Sequence, residues 1–456
     1  MTDALLARRP RPQVVVVGAG FAGLNATHAL RRANADVTLV DKNNYHTFQP
    51  LLYQVSTGYL AVEEVGTALR AVFRRQLNVT VRMAAVSSAD WERRRLALGD
   101  GSALGFDYLI LAGGAETSFF GVPGMEEHAW PLYTLDDAVR LRMHLLDTLE
   151  QVARPGSPHA RITAVVVGGG PTGVETAGAL ASMAQEILGP DVSLRVTLVE
   201  AGPRLLNGFS PASAEHALSD LRRRGVDVRL NQAVKSADAN GVCLASGERI
   251  GTATVIWAAG VQANRLARPL GLEVSLQGRI VVDPHLQVPG HPNMFAAGDL
   301  AAVTGPRGNR ALPMMAPAAI QTGRHAGAQV ARLIEGRPLT PFCYRDKGMM
   351  AVLGRGDAVA ELPLLPGARG RRVLRFGGLP AWLLWLGVHI VYLIGFRNRI
   401  KVLVDWGWSY FTSRGAGAIL VRMPEESLPQ VDQSPDGASA PTTAWTYEGS
   451  EPRDVP

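Results

Sequence analysis

Two glycine triplets, Gly18, Gly20 and Gly23 and then Gly168, Gly170 and Gly173, carry the strongest chemical signal in the chain. Each follows a valine run, at 14–17 and 165–167, and opens an alanine-rich stretch. A buried strand that turns through Gly-x-Gly-x-x-Gly into a helix binds the pyrophosphate of a dinucleotide. The first glycine makes the tight turn, the second lets the backbone approach the phosphates, and the third lets the helix pack on its strand. The helix start adds unpaired N–H groups and a positive dipole end. The adjoining ribose calls for an acid at the end of the next strand. Asp41 and Glu200 end the runs 36–41 and 195–200, so both acids are in place. An α/β domain with tight turns and no nucleotide would not need them.

The elements that must position these residues are those of an α/β protein with two Rossmann-like dinucleotide-binding domains. Residues 12–115 form the first unit, which closes on the apolar run 107–114; residues 116–160 connect it to the second, with a Pro- and Gly-rich linker at 154–158. The second unit covers 161–278 and closes on 253–260, the counterpart of the first closing strand. The chain then returns to complete the first unit over 279–345, so the second domain is inserted in a discontinuous first one. A C-terminal region follows at 346–425. The last stretch, 426–456, is rich in Pro, Ser, Asp and Glu and is expected to be disordered, since it cannot bury enough apolar surface.

With 456 residues and 47% hydrophobic content the chain can pack two or three domains. The net charge of +6 fits attraction to an anionic lipid surface and gives no support to nucleic-acid binding. No P-loop and no metal-spaced His or Cys cluster is visible, so no metal is expected. The two cysteines, Cys243 and Cys343, lie far apart, which excludes a close redox dithiol and leaves each expected as a small buried hydrophobe. The N-terminal apolar run is too short for a secretory signal, so the body is expected to be cytoplasmic.

Residues 377–396 contain no Lys, Arg, Asp or Glu, long enough in principle to cross a bilayer as a helix. Trp382, Trp385 and Tyr392 fall within it, and Trp406, Trp408 and Tyr410 follow the basic break at 397–401. Such aromatics concentrate at the headgroup level. Gly378, Pro380, Gly387, His389 and Gly395 weaken a spanning helix, and the alternation of basic and apolar residues suits helices lying in the interface. Monotopic attachment is the favoured reading; an aromatic hairpin packed on the body or on a second copy in a homodimer is the alternative.

Two dinucleotide sites in one chain imply electron transfer between two cofactors, usually a resident flavin and a nicotinamide that comes and goes. The segment 292–299, ending in Gly298 and Asp299, resembles the strand-Gly-Asp element that closes over FAD in two-dinucleotide flavoproteins. That resemblance puts non-covalent FAD on the first fingerprint and NADH on the second. Glu200 favours NADH over NADPH, because a carboxylate repels a 2′-phosphate, although Arg204 stands nearby.

The chain resembles the type II NADH dehydrogenases, single-subunit NADH:quinone oxidoreductases that do not pump protons, over nearly all of 12–420. Beyond the fingerprints, the likeness rests on the run 46–58, similar to the family's loop beside the flavin, on the aromatic C-terminal segment, and on 316–321, similar to its Ala-Gln-x-x-x-Gln quinone motif. Here the chain departs, with Pro317 in place of the first glutamine, while Gln321 remains. Small-for-small departures occur at Ala112 and Ala259, each before a glycine.

The resemblance implies cofactor contacts from Phe21, Ala22, Lys42, Gln54, Val86, Gly113 and Ala316 beside the first fingerprint, and from Thr172 and Gly260 beside the second. It implies a two-stage reaction, hydride from NADH to the flavin and then two electrons and two protons to ubiquinone or menaquinone at the cytoplasmic face of the membrane. Glu175 is the expected proton donor, with a helix-capping carboxylate as the plainer alternative. Gln321 and Lys347 are further catalytic candidates. His46 could shuttle protons, or be a loop histidine held by backbone. Rival readings are a sulfide:quinone oxidoreductase, which needs cysteines at the flavin, a ferredoxin- or rubredoxin-type reductase, which does not explain the aromatic tail, and an NADH sensor without turnover.

Overall fold

The computed structural model describes residues 11–152, 160–187, 192–275, 277–305, 311–364 and 373–412. The linker at 154–158, the tail from 426 and the side chains of Trp408 and Tyr410 lie outside the described residues.

Two parallel sheets repeat one design. In the first, of six strands, Gln13–Val17 is central, and Val17 pairs with Val40 on one side and Leu111 on the other. In the second, of five strands, Ala160–Val167 is central, and Val167 pairs with Val199 and Trp257. The valine runs are buried on both faces, as strands covered by helices must be. At the carboxyl end of each central strand the strand order switches direction, which is where open α/β sheets bind ligands. The first sheet gains its outer strands Gln287–Val288 and His291–Ala296 only after the second domain has been completed. The strand Ala129–Pro131 joins the second sheet beside Thr254–Trp257, and Ala115–Thr117 pairs antiparallel with Val261–Ala263 to form a two-stranded bridge between the two units.

Close backbone approach fixes the helices that frame the site. A Cβ on Gly23 would lie 1.7 Å from the Gly18 carbonyl oxygen, and one on Gly173 would lie 1.8 Å from that of Gly168. Gly323, on the helix Ala316–Ile334, packs on the first fingerprint helix Phe21–Ala29 so tightly that a Cβ would meet the Ala22 carbonyl oxygen at 2.0 Å. Gly178 does the same for the second fingerprint helix Pro171–Ile187, against the Leu353 carbonyl of the strand Met349–Gly354. That strand opens a three-stranded antiparallel sheet leading to the C-terminal helices.

The apolar segment 377–396 is two structures rather than one spanning rod. A helix covers Gly378–Tyr392, the chain breaks at Gly395 with φ +89°, and a second helix covers Phe396–Thr412. Among the described residues no helix is long and apolar enough to cross a membrane. The first helix buries Ala381, Trp385 and His389 along one face. Leu379, Leu383 and Val391, then Phe396, Ile400, Leu403 and Val404, remain exposed.

Candidate active site

One cavity of about 1040 Å³ runs from the first glycine loop to the C-terminal helix Gly378–Tyr392. Gly18, Gly20, Phe21, Ala22, Asp41, Lys42, Val86, Gly113, Gly298, Asp299 and Ala316 line it, as does the first turn of the second fingerprint helix through Thr172 and Glu175. Lys347 is in the wall, and Val388, His389 and Tyr392 of the C-terminal region complete it. Gly168, Gly170, Gly173, Glu200 and Gly260 stand outside this wall and build the second loop; Gly260 lies directly beneath the ring of Phe120. Gly23 is likewise outside the wall, serving helix packing.

The two loops share their hydrogen bonds as well as their sequence. Gly18 (φ +96°) donates to the Val40 carbonyl and Gly168 (φ +110°) to that of Val199, each at 2.8 Å. Asp41 accepts the Ala19 N–H at 2.6 Å and the Asn43 N–H at 2.7 Å. Glu200 accepts the Gly169 and Gly202 N–H groups, both at 2.6 Å. Each acid therefore ties the glycine turn to the end of its strand at the edge where a ribose would meet it. Burial pushes Asp41 above the usual carboxylate range, against its backbone hydrogen bonds.

The first loop fits a flavin dinucleotide. A side chain on Gly20 would point into open space, so the backbone is bare to an approaching phosphate. Asp299 is half-buried in the cavity wall, and its Oδ1 is buried and unpartnered, an acceptor waiting for a hydroxyl or N–H donor. Burial raises its pKa to about 6, opposed by the charge of Arg279. Tyr133, another wall residue, is pushed up to about 12 by burial and by the Asp299 charge.

Glu175 lies at the junction of the parts. The Gly178 contact brings its helix onto the strand that carries Val352, whose N–H donates to Glu175 Oε1 at 3.2 Å. Burial outweighs that bond and lifts its pKa to about 8, leaving the acid loaded with a proton at neutral pH. Tyr53 stands close enough for the Glu175 charge to add to the burial that raises its phenol. His389 is stacked on Trp385 with ring centroids 4.0 Å apart, and burial lowers it to about 4, so it is a neutral imidazole. Trp385, His389, Tyr53 and Tyr133 escaped the sequence reading. The apolar segment hid the first two, because nothing in its composition says which aromatic turns inward.

Other expected residues sit elsewhere. Gln321 is outside the wall: its amide donates to the Arg345 and Pro317 carbonyls at 2.9 and 3.0 Å and accepts the Arg345 N–H at 3.0 Å. It braces the segment that carries Lys347. Gln54 is also behind the wall, donating to the Tyr53 hydroxyl and accepting the Trp406 indole N–H, each at 2.8 Å. His46 is buried with Nδ1 2.8 Å from the Ala19 carbonyl, and burial lowers its pKa; it is the backbone-held histidine rather than a shuttle. The cysteines correct the expectation of burial, since Cys243 is partly exposed and Cys343 exposed. Neither lines the cavity. Among the described residues no group of His, Cys, Asp or Glu could hold a metal ion.

Comparison with known proteins decides the family. Residues 12–323 match the pyridine nucleotide-disulphide oxidoreductase family, and 347–415 match the NDH2 C-terminal domain. The chain is 38% identical to the type II NADH:quinone oxidoreductase NdhA of Mycobacterium tuberculosis, over 91% of its own length and 90% of the relative's. It belongs to the type II NADH:quinone oxidoreductase family. A Staphylococcus aureus type II NADH:quinone oxidoreductase is 32% identical over 76% of this chain and 89% of that one. Among solved structures, NDH2 from Plasmodium falciparum in complex with NADH superposes with a TM-score of 0.78 at 20% identity, covering 90% of this chain and all of the other (100%). The sulfide:quinone oxidoreductase of Aquifex aeolicus shares the fold at a TM-score of 0.70 and 19% identity, over 88% of this chain and 96% of that one. For a type II NADH:quinone oxidoreductase, a cavity wall free of cysteine is in keeping with a reaction that uses no thiol.

Proposed function

We propose that this enzyme passes two electrons from NADH through non-covalent FAD to a membrane quinone, without pumping protons. The observation that carries the reading is the shared cavity, whose wall is made in turn by the first glycine loop, by the start of the second fingerprint helix and by the helix Gly378–Tyr392. When bound, the flavin supplies a centre that accepts a hydride and yields two electrons.

The protein's part is binding, alignment and proton supply. Gly18 and Gly20 receive the flavin pyrophosphate and Asp41 its ribose, while Phe21, Ala22, Lys42, Val86, Gly113, Gly298, Asp299 and Ala316 enclose the rest. Gly168, Gly170, Gly173 and Glu200 hold NADH, with Thr172 and Gly260 flanking its reactive end. Alignment carries much of the acceleration. Glu175 holds the proton that the reduced quinone needs, and Lys347 offers a cationic donor from the same wall. Gln321 acts on this site by bracing residue 345. We take 12–115 with 279–345 as the flavin domain and 161–278 as the NADH domain, joined by 116–160. The pairing of Ala129–Pro131 with Thr254–Trp257 supports counting that strand with the second domain.

The exposed apolar row from Leu379 to Val404, with exposed Arg397 and Lys401 beside it, supports attachment of the 346–425 region to an anionic leaflet at the cytoplasmic face, as helices lying in the interface. The test is NADH oxidation by the detergent-purified protein with a short-chain quinone. Equal consumption of NADH and quinone is expected; NADH loss that ignores added quinone would refute the assignment of the acceptor.

A further inference from the structure

Just past the bridge strand Ala115–Thr117 the chain makes a turn that its sequence does not suit. The Val122 N–H donates to the Phe119 carbonyl at 3.0 Å across Phe120 and Gly121, whose φ angles are +51° and +68°. Positive φ at both central positions is the pattern of a type I′ turn, which favours Gly, Asn or Asp there. A bulky residue at the first of them is a steric outlier. The turn is nonetheless held from three sides. The Ser118 N–H donates to the Gly260 carbonyl at 3.1 Å, the Trp257 indole donates to the Ser118 carbonyl at 2.8 Å, and the Ala237 N–H donates to the Pro123 carbonyl at 3.0 Å.

The two phenylalanines part company at this turn. Phe119 faces Trp257 at a centroid distance of 5.7 Å and packs on the core of the second domain. Phe120 is 66% exposed, yet its ring stands so close over Gly260 that a Cβ on that glycine would overlap Cζ and Cε2. Core packing does not account for a strained, solvent-facing aromatic, and strain of this kind gathers at functional sites.

The sheet says which part of a dinucleotide would meet that ring. The central strand Ala160–Val167 has Val192–Val199, leading to Glu200, on one side and Thr254–Trp257, leading to Gly260, on the other. Gly168, the first glycine of the loop, backs directly onto Ala259: a Cβ there would lie 2.6 Å from the Ala259 Cα. A dinucleotide laid across the loop with its adenosine ribose on Glu200 therefore carries its other half over Gly260.

We propose that Phe120 is a substrate-contact residue for the nicotinamide half of NADH, a role that rests on the reading of the second fingerprint as the NADH site. Its ring is an apolar wall over Gly260, held rigid by the turn, against which the nicotinamide ribose and ring pack and lose water. Binding then buries an aromatic face that the free protein leaves in solvent.

The experiment is stopped-flow reduction of the holoenzyme flavin by NADH without oxygen, over a range of NADH concentrations, for the parent, Phe120→Gly, Phe120→Tyr and Glu200→Gln. ADP serves as a competitor that carries the adenosine half alone. Phe120→Gly suits the turn, so it should keep the parent's thermal midpoint. It should raise the NADH concentration for half-maximal rate about tenfold and leave inhibition by ADP unchanged. Phe120→Tyr keeps the ring and should stay within about twofold of the parent. Phe120→Asn, equally suited to the turn, replaces the glycine variant if that one folds poorly. If the glycine variant holds NADH as tightly as the parent while Glu200→Gln weakens it, or if it loses NADH and ADP to the same extent, the ring only closes the turn and the proposal is overturned. NADH affinity unmoved in both Phe120→Gly and Glu200→Gln would instead remove the second fingerprint as the NADH site, and the proposal with it.

Discussion

Glu175 accepts the backbone N–H of Val352 across 177 residues of sequence, at 3.2 Å, while only 9% exposed. That bond ties the start of the second fingerprint helix to the sheet that leads into the C-terminal helices. It puts a carboxylic acid in the cavity wall, at the seam between the second fingerprint helix and the strand Met349–Gly354.

The acid should behave as a proton donor. Glu175→Gln is expected to slow reoxidation of the reduced flavin by quinone by roughly a hundredfold or more, the usual scale for losing a general acid, and to slow flavin reduction by NADH far less. Stopped-flow absorbance separates the two steps. Equal losses in both would reject the role.

The same group gives stability a pH dependence of known sign. Burial raises Glu175 from 4.5 to about 8, so between those values the folded chain holds a proton that the unfolded chain has released. Its contribution is full below about pH 4.5 and is lost as pH rises through 8, by at most about 1.4 kcal/mol per unit. Thermal midpoints of the parent should fall over that window relative to those of Glu175→Gln. Parallel curves would contradict the burial argument.

Glu200 should govern the choice of nicotinamide. Replacing it with Gln removes the charge that repels a 2′-phosphate and weakens the caps on Gly169 and Gly202. KM for NADH should rise about tenfold and that for NADPH should fall, at a cost of about 1–2 kcal/mol per charge-assisted contact. Steady-state kinetics with both nucleotides decide it, and an unchanged ratio of specificities would sink it.

Gly323 should be intolerant of any side chain. A Cβ there would stand 2.0 Å from the Ala22 carbonyl oxygen, so Gly323→Ala must push the Ala316–Ile334 helix off the flavin loop. Overpacking of this kind costs about 1–3 kcal/mol, and the purified variant should hold less FAD. Full flavin occupancy with an unchanged thermal midpoint would show that the helix yields freely.

Much of this architecture is legible in the sequence, for a physical reason. Gly18, Gly168 and their partners answer to backbone needs that no other residue meets, and Asp41 and Glu200 stand at strand ends that the valine runs locate. The start of the second fingerprint helix was legible too, and with it Glu175. The C-terminal segment was harder. Its apolar content is right for a membrane surface, but the break at Gly395 and the inward turn of Trp385 and His389 depend on packing against a body folded from distant residues. The places of Gln54 and Gln321, behind the cavity wall, were not legible for a related reason. A glutamine beside a cofactor motif can face the ligand or brace the wall behind it, and only the partners of its amide tell which.

The exposed row gives a membrane test. Leu383 and Val404 are 55% and 60% exposed, so Leu383→Asp with Val404→Asp should leave the fold intact. Burial of one such side chain is worth about 1.5–3 kcal/mol, and partition onto anionic vesicles should drop at least about tenfold. Binding that persists would move the contact surface elsewhere.

The most direct test follows the flavin absorbance of the detergent-purified enzyme without oxygen, adding NADH and then a soluble quinone. Bleaching by NADH and prompt recovery with quinone is the predicted result. Bleaching without recovery would contradict quinone as the acceptor, and no bleaching would contradict the account of the two dinucleotide sites.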